Sequence, residues 1–120
     1  MKSILIVEDE WNLRLLYSQE LKAEGFEVVA VSDGTSAREQ VRQRKFDLAI
    51  VDVKLEGESG LEVLREIMSA DRHLRVILNS AYSSFMSDFT SWSADAYLVK
   101  SSDLSELKSK VRELTVMAMA

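Results

Sequence analysis

The stretch ILIVEDE, residues 4–10, decides the fold, because four apolar residues run directly into three acids. Short runs of this kind, rich in β-branched side chains, are typical of strands buried on both faces of a sheet. A segment suited to burial is not expected to end in clustered negative charge unless that charge has a use. We expect Glu8 and Asp9 to lie just past the end of a buried first strand.

Four more apolar clusters follow, and segments with helical spacing separate them. The clusters are EVVAV at 27–31, LAIV at 48–51, VIL at 76–78 and AYLV at 96–99. Strands that alternate with helices indicate a parallel sheet with helices on both faces, joined by right-handed crossovers. We therefore predict an α/β fold of the flavodoxin-like, doubly wound (βα)5 kind, with five parallel strands in the order 2-1-3-4-5.

Helices are predicted from apolar stripes and from residues that start or stop a helix. The stripes are Leu13, Leu16, Tyr17 and Leu21 in the first helix, Leu61, Leu64 and Met68 in the third, and Leu104, Leu107, Val111 and Leu114 in the fifth. Gly25 supplies the stop for the first helix, and Asp103 with Glu106 resembles a capping box for the fifth. The fourth helix, SSFMSDFTSW at 83–92, is the weakest prediction because Ser and Thr compete for backbone hydrogen bonds.

The composition limits the classes of protein to consider. With 120 residues, 47% of them hydrophobic, the chain can fill one ordinary core, and we expect a single domain over residues 1–120. A net charge of -5 argues against direct binding to nucleic acid or to an anionic membrane. The chain has no cysteine for a disulfide, and no apolar run of the ~20 residues that cross a bilayer. We therefore expect a soluble, cytoplasmic protein.

The acids should meet at one edge of the sheet, because ligands of open parallel sheets bind beyond the carboxyl ends of the strands. Asp52 ends the third predicted strand, and the predicted order makes that strand a neighbour of the first. Glu8, Asp9 and Asp52 are therefore expected to share one small pocket. Like charges this close repel, and a bound cation relieves the repulsion. Mg²⁺ suits carboxylates that have no histidine or cysteine beside them.

The same edge receives a hydroxyl and an amine. Ser80 ends the fourth predicted strand, and Lys100 ends the fifth. The charges of Mg²⁺ and Lys100 together balance those of the three carboxylates. A neutral pocket with a metal ion, an ammonium and a hydroxyl donor is suited to accept a phosphoryl group. Asp52, central among these groups, is the predicted nucleophile.

These residues and their spacing resemble the receiver domain of two-component response regulators, and the resemblance covers essentially the whole chain. By that likeness, the site consists of the acidic pair Glu8 and Asp9, the phosphoaccepting Asp52, the phosphate-contacting Ser80 and Lys100, the aromatic switch residue Tyr97, and Lys54, whose backbone carbonyl completes the metal shell. Ser80 would act with Tyr97 in the switch. One such motif alone is weak, but five in the correct order at the ends of the correct strands are strong.

The resemblance also implies partners and a signalling function. The phosphoryl group would come from a histidine kinase or a histidine phosphotransfer protein, with Mg²⁺ or Mn²⁺ as cofactor. Phosphorylation would then change a surface formed by the fourth helix, fifth strand and fifth helix, which binds a downstream protein. Direct binding to nucleic acid or membrane is not expected. The domain would not be a conventional enzyme, although it would assist its own phosphorylation and slow dephosphorylation.

The sequence departs from the family pattern at several positions. Ser101 replaces the proline that usually follows a cis peptide bond, and we predict a cis Lys100–Ser101 bond despite its cost of ~2.5 to 4 kcal/mol. Glu56 replaces a proline in the loop after the third strand, which should therefore be less restrained. Lys54 and Tyr82 occupy positions that flank the path of the hydrolytic water in the family. Their size predicts slow self-dephosphorylation.

Three alternatives remain open from the sequence. A metal-dependent phosphatase would place a second acid two residues after its nucleophile, where this chain has Lys54. A degenerate receiver would bind partners without phosphorylation, and the missing prolines are compatible with it. A flavodoxin-like cofactor binder would need a Gly-rich or hydroxyl-rich phosphate loop after the first strand, which the sequence lacks.

Phe85, Phe89 and Trp92 are predicted either to pack as the buried face of the fourth helix or to form part of a partner surface.

Overall fold

Helices and strands alternate along the chain in the computed structural model, which describes residues 1–81 and 94–117. The strands are β1 (Ser3–Val7), β2 (Glu27–Val31), β3 (Leu48–Asp52), β4 (Lys54–Leu55), β5 (Glu58–Ser59), β6 (Arg75–Ser80) and β7 (Ala96–Val99). The helices are α1 (Trp11–Ala23), α2 (Gly34–Gln43), α3 (Gly60–Ala70) and α4 (Ser105–Met117). The predicted fourth and fifth strands correspond to β6 and β7, and the predicted fifth helix corresponds to α4. The helix predicted at 83–92, with its three aromatic residues, lies outside the described residues.

The central sheet confirms the predicted α/β fold and its strand order. Five parallel strands lie side by side in the order β2-β1-β3-β6-β7, which is the predicted order 2-1-3-4-5. Val7 pairs with Val51 across β1 and β3, and Asp52 pairs with Asn79 across β3 and β6. The carboxyl ends of β1, β3 and β6 therefore meet at one edge of the sheet.

Two apolar cores cover the two faces of this sheet. Side chains alternate along β3, so that Ala49 and Val51 lie in the first core while Leu48 and Ile50 lie in the second. The helices α2 and α3 complete the first core with Ala37, Val41, Val63, Leu64 and Ile67, and α1 and α4 complete the second with Tyr17, Leu21, Leu107, Val111 and Leu114. None of the helices in the described part of the chain is long and apolar enough to span a membrane.

Burial differs from prediction in one strand and one helix. The segment 27–31 forms β2 as predicted, but its residues are half-buried or exposed, because β2 is an edge strand that pairs only with β1. In α1, Tyr17 and Leu21 are buried as predicted, whereas Leu16 is 38% exposed. The apolar face of α1 therefore extends beyond the part of the helix that packs on the core.

A glycine ends α1 as predicted. Gly25 has a φ of 100°, a conformation that other residues rarely adopt. Its N–H donates to the Lys22 carbonyl at 3.0 Å, and the Phe26 N–H donates to the Leu21 carbonyl at 3.2 Å. These two bonds satisfy carbonyls that the last turn of the helix would otherwise leave without a donor.

The start of α4 differs from the predicted capping box. The Asp103 carboxylate accepts a hydrogen bond from the Ser105 N–H at 3.0 Å, as a capping residue does. The Asp103 N–H, however, donates to the Ser101 hydroxyl at 3.1 Å and not to Glu106. The reciprocal half of the capping box is therefore wrong, because a serine two residues earlier in the chain supplies the acceptor.

The loop after β3 contains a hairpin that the sequence did not predict. The strands β4 and β5 pair antiparallel, and Gly57 makes the turn between them with a φ of 77°. The Glu56 N–H donates to Asp9 Oδ2 at 2.8 Å, and the Gly34 N–H at the start of α2 donates to Glu58 Oε2 at 2.8 Å. Although the loop lacks the usual proline, the hairpin connects it to the end of β1 and to α2.

Gly60 allows α3 to approach the backbone of β3. Its N–H donates to the Val53 carbonyl at 2.8 Å. A Cβ atom added to Gly60 would lie 1.8 Å from the Asp52 carbonyl oxygen. Because backbone atoms cannot rotate away as a flexible side chain can, any larger residue would displace the start of α3 or the end of β3.

We expect Gly60→Ala to lower the free energy of unfolding by about 3 kcal/mol or more, the upper range for overpacking at a rigid site. Gly25→Ala is the matched control, because a Cβ there meets no atom within 4 Å and only the backbone conformation is strained. That strain should cost about 1 kcal/mol. Urea unfolding of both variants measures the difference, and equal losses would contradict the account of Gly60.

Candidate functional site

Three carboxylates converge at the carboxyl ends of β1 and β3. Glu8 and Asp9 directly follow β1, and Asp52 is the last residue of β3. Each offers an oxygen, and these three oxygens lie within 4.8 Å of one another. Glu8 is 2% exposed and Asp52 is 6% exposed, so two of the three acids are removed from solvent. The predicted convergence of the acids is confirmed.

A single ammonium group contacts two of these acids. Lys100 Nζ lies 2.7 Å from Glu8 Oε1 and 2.9 Å from Asp52 Oδ2. Burial by itself would lower the pKa of Lys100, but hydrogen bonds and charges from Glu8 and Asp52 outweigh it and raise the pKa well above its usual range. Burial raises the pKa of Glu8, against the opposing effect of the Lys100 ammonium. Lys100 therefore stays charged and compensates part of the negative charge of the site.

The peptide bond after Lys100 is trans, and the prediction of a cis bond is wrong. None of the peptide bonds in the described residues is cis. A cis bond before Ser101 would cost ~2.5 to 4 kcal/mol. The Lys100 N–H already donates to the Ser80 carbonyl at 2.6 Å, and the trans chain delivers the ammonium to both acids. The geometry of the site therefore does not require the cis isomer.

Backbone N–H groups hold the three carboxylates in place. The Lys54 N–H lies 3.2 Å from Asp52 Oδ1, the Glu56 N–H lies 2.8 Å from Asp9 Oδ2, and the Glu10 N–H lies 3.2 Å from Glu8 Oε2. Hydrogen bonds to a carboxylate stabilise its ionised form. These donors were not predicted from the sequence, because two of them belong to the unpredicted hairpin.

Ser80 lies on β6, the neighbour of β3, and Tyr97 lies on β7, the next strand beyond it. Ser80 ends β6 and is fully buried, one residue beyond Asn79, the register partner of Asp52. Tyr97 pairs with Leu78 across β6 and β7, and it is buried in the apolar core on the α2 and α3 face. Ser80 therefore reaches the same edge of the sheet as the acids, while Tyr97 lies deeper in the core.

Lys54 and Tyr82 were predicted to affect hydrolysis, and the structure describes only Lys54. The Lys54 side chain is exposed, and its backbone N–H, rather than its ammonium, contacts Asp52. Tyr82 lies outside the described residues. The role of the Lys54 carbonyl as a metal ligand stays a prediction.

Two buried residues with polar side chains, Tyr17 and Asn79, lie next to the site and were not predicted to do so. Tyr17 of α1 is 2% exposed, Asn79 of β6 is 4% exposed, and both line the same pocket. Burial raises the pKa of Tyr17, and the effects of Asn79 and Lys100 only partly oppose this. The sequence carried one sign of this, because the polar residue Asn79 directly follows the apolar stretch VIL at 76–78.

The arrangement suits the capture of a cation and of an anionic group. Three carboxylates within reach of one ion, with no histidine or cysteine among them, are the ligand type that Mg²⁺ and Mn²⁺ prefer. The Lys100 ammonium and the Ser80 hydroxyl at the same edge are donors for the oxygens of an anion. Asp52 belongs to the cation-binding carboxylates and also contacts the Lys100 ammonium.

Comparison with known proteins identifies the family of this chain. The protein-family model described as response regulator receiver domain matches residues 4–112 of this chain. Among curated proteins, sporulation initiation phosphotransferase F of Bacillus subtilis is 27% identical over 114 residues, which are 93% of this chain and 92% of that protein. The uncharacterized transcriptional regulatory protein YkoG of the same organism is 35% identical over 111 residues, which are 91% of this chain but 49% of that protein. The chain thus spans one relative almost fully and about half of the other.

Solved structures agree with this result. The response regulator TrrA of Thermotoga maritima, in complex with Mg²⁺-BeF, is 44% identical, with a TM-score of 0.89 and coverage of 95% of this chain and 99% of TrrA. TrrA was also crystallised in complex with the histidine kinase ThkA, with a TM-score of 0.86 at coverages of 95% and 98%. The chain therefore belongs to the response regulator receiver domain family and is a phosphoacceptor module of two-component signalling.

Proposed function

We propose that this receiver takes a phosphoryl group from a phosphohistidine donor onto Asp52, with a divalent cation held by Glu8, Asp9 and Asp52. The observation that carries the proposal is the convergence of three carboxylate oxygens within 4.8 Å, with the Lys100 ammonium in contact with two of the acids. In the transfer, an Asp52 oxygen would bond to phosphorus while the bond from phosphorus to the donor imidazole nitrogen breaks. The imidazole would keep the electron pair.

Asp52 is the acid best placed to act as the nucleophile. Its Oδ1 accepts the Lys54 N–H and its Oδ2 accepts the Lys100 ammonium, so its orientation is fixed by two donors. It is buried and is the last residue of β3, at the carboxyl end of the sheet. Fixing a nucleophile in this way reduces the entropy lost on reaching the transition state.

The donor set fits Mg²⁺ or Mn²⁺. Glu8, Asp9 and Asp52 would supply carboxylate ligands, and the family resemblance adds the Lys54 backbone carbonyl. When bound, such an ion supplies positive charge that offsets the charge of the acids and of the phosphoryl oxygens. The structure of TrrA with Mg²⁺-BeF supports the same choice of ion for this chain.

The remaining residues would stabilise the product and transmit the change. Lys100 would neutralise a phosphoryl oxygen, and the Ser80 hydroxyl would donate to another. Ser80 ends β6, and Tyr97 lies on the neighbouring strand β7. Movement of Ser80 toward the phosphoryl group would therefore change the packing around Tyr97. The added charge would then bias a two-state equilibrium of the surface around β7, α4 and the segment between β6 and β7. A downstream protein would bind this surface.

The donor protein is proposed to dock on α1. This helix begins two residues after Asp9 and exposes Trp11 by 68% and Leu15 by 47%. Exposed apolar side chains beside a reaction site mark a surface for a partner. The complex of TrrA with the histidine kinase ThkA supports a kinase as that partner.

Three further predictions also stand. A single domain over residues 1–120 is supported by one sheet that includes strands from Ser3 to Val99. Slow self-dephosphorylation is expected from Lys54 and Tyr82. A cytoplasmic location is expected from the composition.

Incubation with phosphoramidate and Mg²⁺ should add the mass of one phosphoryl group to the wild-type chain. Peptide mapping should locate this mass at Asp52, and Asp52→Asn should remove it, because an amide cannot form the acyl phosphate. Addition at another residue in the wild type would contradict the assignment. Absence of any addition would favour a receiver that binds partners without phosphorylation.

Mg²⁺ should raise the melting temperature of the unmodified protein. At a concentration tenfold above Kd, a ligand of the native state adds ~1.4 kcal/mol, which is about 5 °C for a domain of this size. Asp9→Asn should remove most of this shift, because one ligand charge is lost while the size of the side chain is kept. Sodium chloride at equal ionic strength is the control, and equal shifts in both proteins would contradict the site.

Trp11→Ala should slow phosphoryl transfer from a phosphorylated histidine kinase by about tenfold, the loss of a typical interface residue worth ~1.4 kcal/mol. Transfer from phosphoramidate should not change, because that donor needs no docking surface. Val116→Ala is the matched control, since Val116 is 66% exposed and lies in the last turn of α4, whereas Lys100 precedes the first turn of that helix. Equal slowing by both variants would contradict docking on α1.

A further inference from the structure

The side chain of Glu58 connects the hairpin β4–β5 to the start of α2. Its Oε2 accepts a hydrogen bond from the Gly34 N–H at 2.8 Å, and its Oε1 lies 3.8 Å from Arg38 Nη1, one turn further along the same helix. The first N–H groups of a helix have no partner within the helix, and a helix N-terminus favours negative charge. The Glu58 carboxylate therefore contacts both a backbone donor and a positive charge on α2.

The contact between Glu58 and Gly34 depends on the absence of a side chain at position 34. A Cβ atom added to Gly34 would lie 2.3 Å from Glu58 Oε1 and 2.7 Å from Val63 Cγ2. Gly34 does not have a positive φ, so its backbone conformation alone does not require glycine. A larger residue would push the flexible Glu58 carboxylate away from the N–H that it accepts.

The turn of the same hairpin contacts an acid of the site. Leu55 pairs with Glu58 across a two-residue turn. Glu56 lies in this turn, and its N–H donates to Asp9 Oδ2 at 2.8 Å. A hairpin this short is at best marginally stable by itself, so its outside contacts determine its position. A displacement of Glu58 would therefore move the Glu56 N–H, which lies only two residues away in the chain.

Packing restrains the hairpin only in part. Leu55 is 7% exposed and belongs to the first core. A cavity of about 380 Å³ opens beside the hairpin, and its lining includes Lys54, Leu55, Glu58 and Leu61. Side chains beside open space are not held by close packing on that side. The chain also has no proline that would restrain the backbone of this loop. The polar contacts of Glu58 with α2 thus limit movement that packing leaves possible.

We propose that Glu58 is a positioning residue of the cation site, which joins the hairpin to α2 and so keeps the Glu56 N–H directed at Asp9. The inference rests on the proposed function, because Asp9 is one of the three acids of that site. A donor that holds one oxygen of a carboxylate fixes the side chain and so the direction of the other oxygen. Asp9 is the least buried of the three acids, so it depends most on such a donor.

Titration with Mn²⁺, in which electron paramagnetic resonance measures the free ion, tests the inference at a temperature at which every variant is folded. Glu58→Ala should weaken Mn²⁺ binding about fivefold, less than the ~10- to 100-fold typical for a group that hydrogen-bonds a metal ligand directly, because Glu58 acts one step further away. Glu58→Gln should stay within about twofold of the wild type, since its amide oxygen can still accept the Gly34 N–H. Unchanged binding in Glu58→Ala would overturn the positioning role.

Glu66→Ala is the matched control. Glu66 Oε1 lies 3.0 Å from Arg38 Nη1, so this variant removes a carboxylate from the same arginine, but Glu66 belongs to α3 and not to the hairpin. Mn²⁺ binding should not change. Equal weakening by Glu66→Ala and Glu58→Ala would show a general effect of lost charge around Arg38 and would overturn the positioning role.

Hydrogen exchange of the Glu56 amide tests the same contact without any metal ion. Glu58→Ala should make this exchange about tenfold faster, because the hairpin would open more often. Glu66→Ala should leave it unchanged. An exchange rate that stays at the wild-type value in Glu58→Ala would contradict the inference.

Gly34→Ala tests the contact from the side of α2 and leaves the hairpin sequence intact. The added Cβ should displace the Glu58 carboxylate and weaken Mn²⁺ binding about as much as Glu58→Ala does. The double variant Gly34→Ala with Glu58→Ala should bind no more weakly than Glu58→Ala alone, because both changes remove one contact. Additive losses would show that the two residues act separately and would overturn the inference.

The outcomes separate this inference from the proposed function. Unchanged binding in Glu58→Ala, with wild-type protein that binds Mn²⁺ and loses it in Asp9→Asn, would overturn the positioning role alone. Wild-type protein that binds no Mn²⁺ would overturn the proposed cation site and the inference with it. Weaker binding in Glu58→Ala beside unchanged binding in Glu66→Ala supports both.

Discussion

The site depends on the contact of one half-buried lysine ammonium with two buried carboxylates. Lys100 reaches across β6 to Asp52 and on to Glu8 at the end of β1, so it joins the ends of three strands through their charges. Without it, the carboxylates gathered within 4.8 Å would repel one another in a site with little water. With it, the site keeps a net negative charge that a divalent cation can balance.

This interaction is available only because of the topology of the sheet. The strand order reverses beside β1, which makes β1 and β3 neighbours although a helix, a strand and another helix separate them in sequence. Much of the site could therefore be predicted. The apolar runs that end in Glu8, Asp52 and Ser80 are evident in the sequence. Their alternation with helices predicts a parallel sheet, and the flavodoxin-like fold supplies the order of its strands. Once these are known, the acids can meet only at one edge.

What escaped prediction depends on backbone and burial rather than on residue type. The hairpin after β3 and the N–H donors that it directs at Asp9 and Asp52 have no signature in the apolar pattern, because nearly every residue carries the same N–H. The exposure of Leu16 depends on how far the core extends under α1, which spacing alone does not define. The trans bond before Ser101 followed from the cost of the cis isomer, while the family likeness pointed the other way.

The approach of α3 to β3 at Gly60 has a mechanical consequence. Helix and strand touch there through main-chain atoms, at a spacing that leaves no room even for a methyl group. Such a junction is incompressible, because main-chain atoms in contact have no alternative rotamers. Any displacement that starts at Asp52 would thus be blocked on the α3 side and diverted across the sheet to β6 and β7. The absence of a side chain at Gly60 would therefore determine the direction in which a displacement of Asp52 travels through the domain.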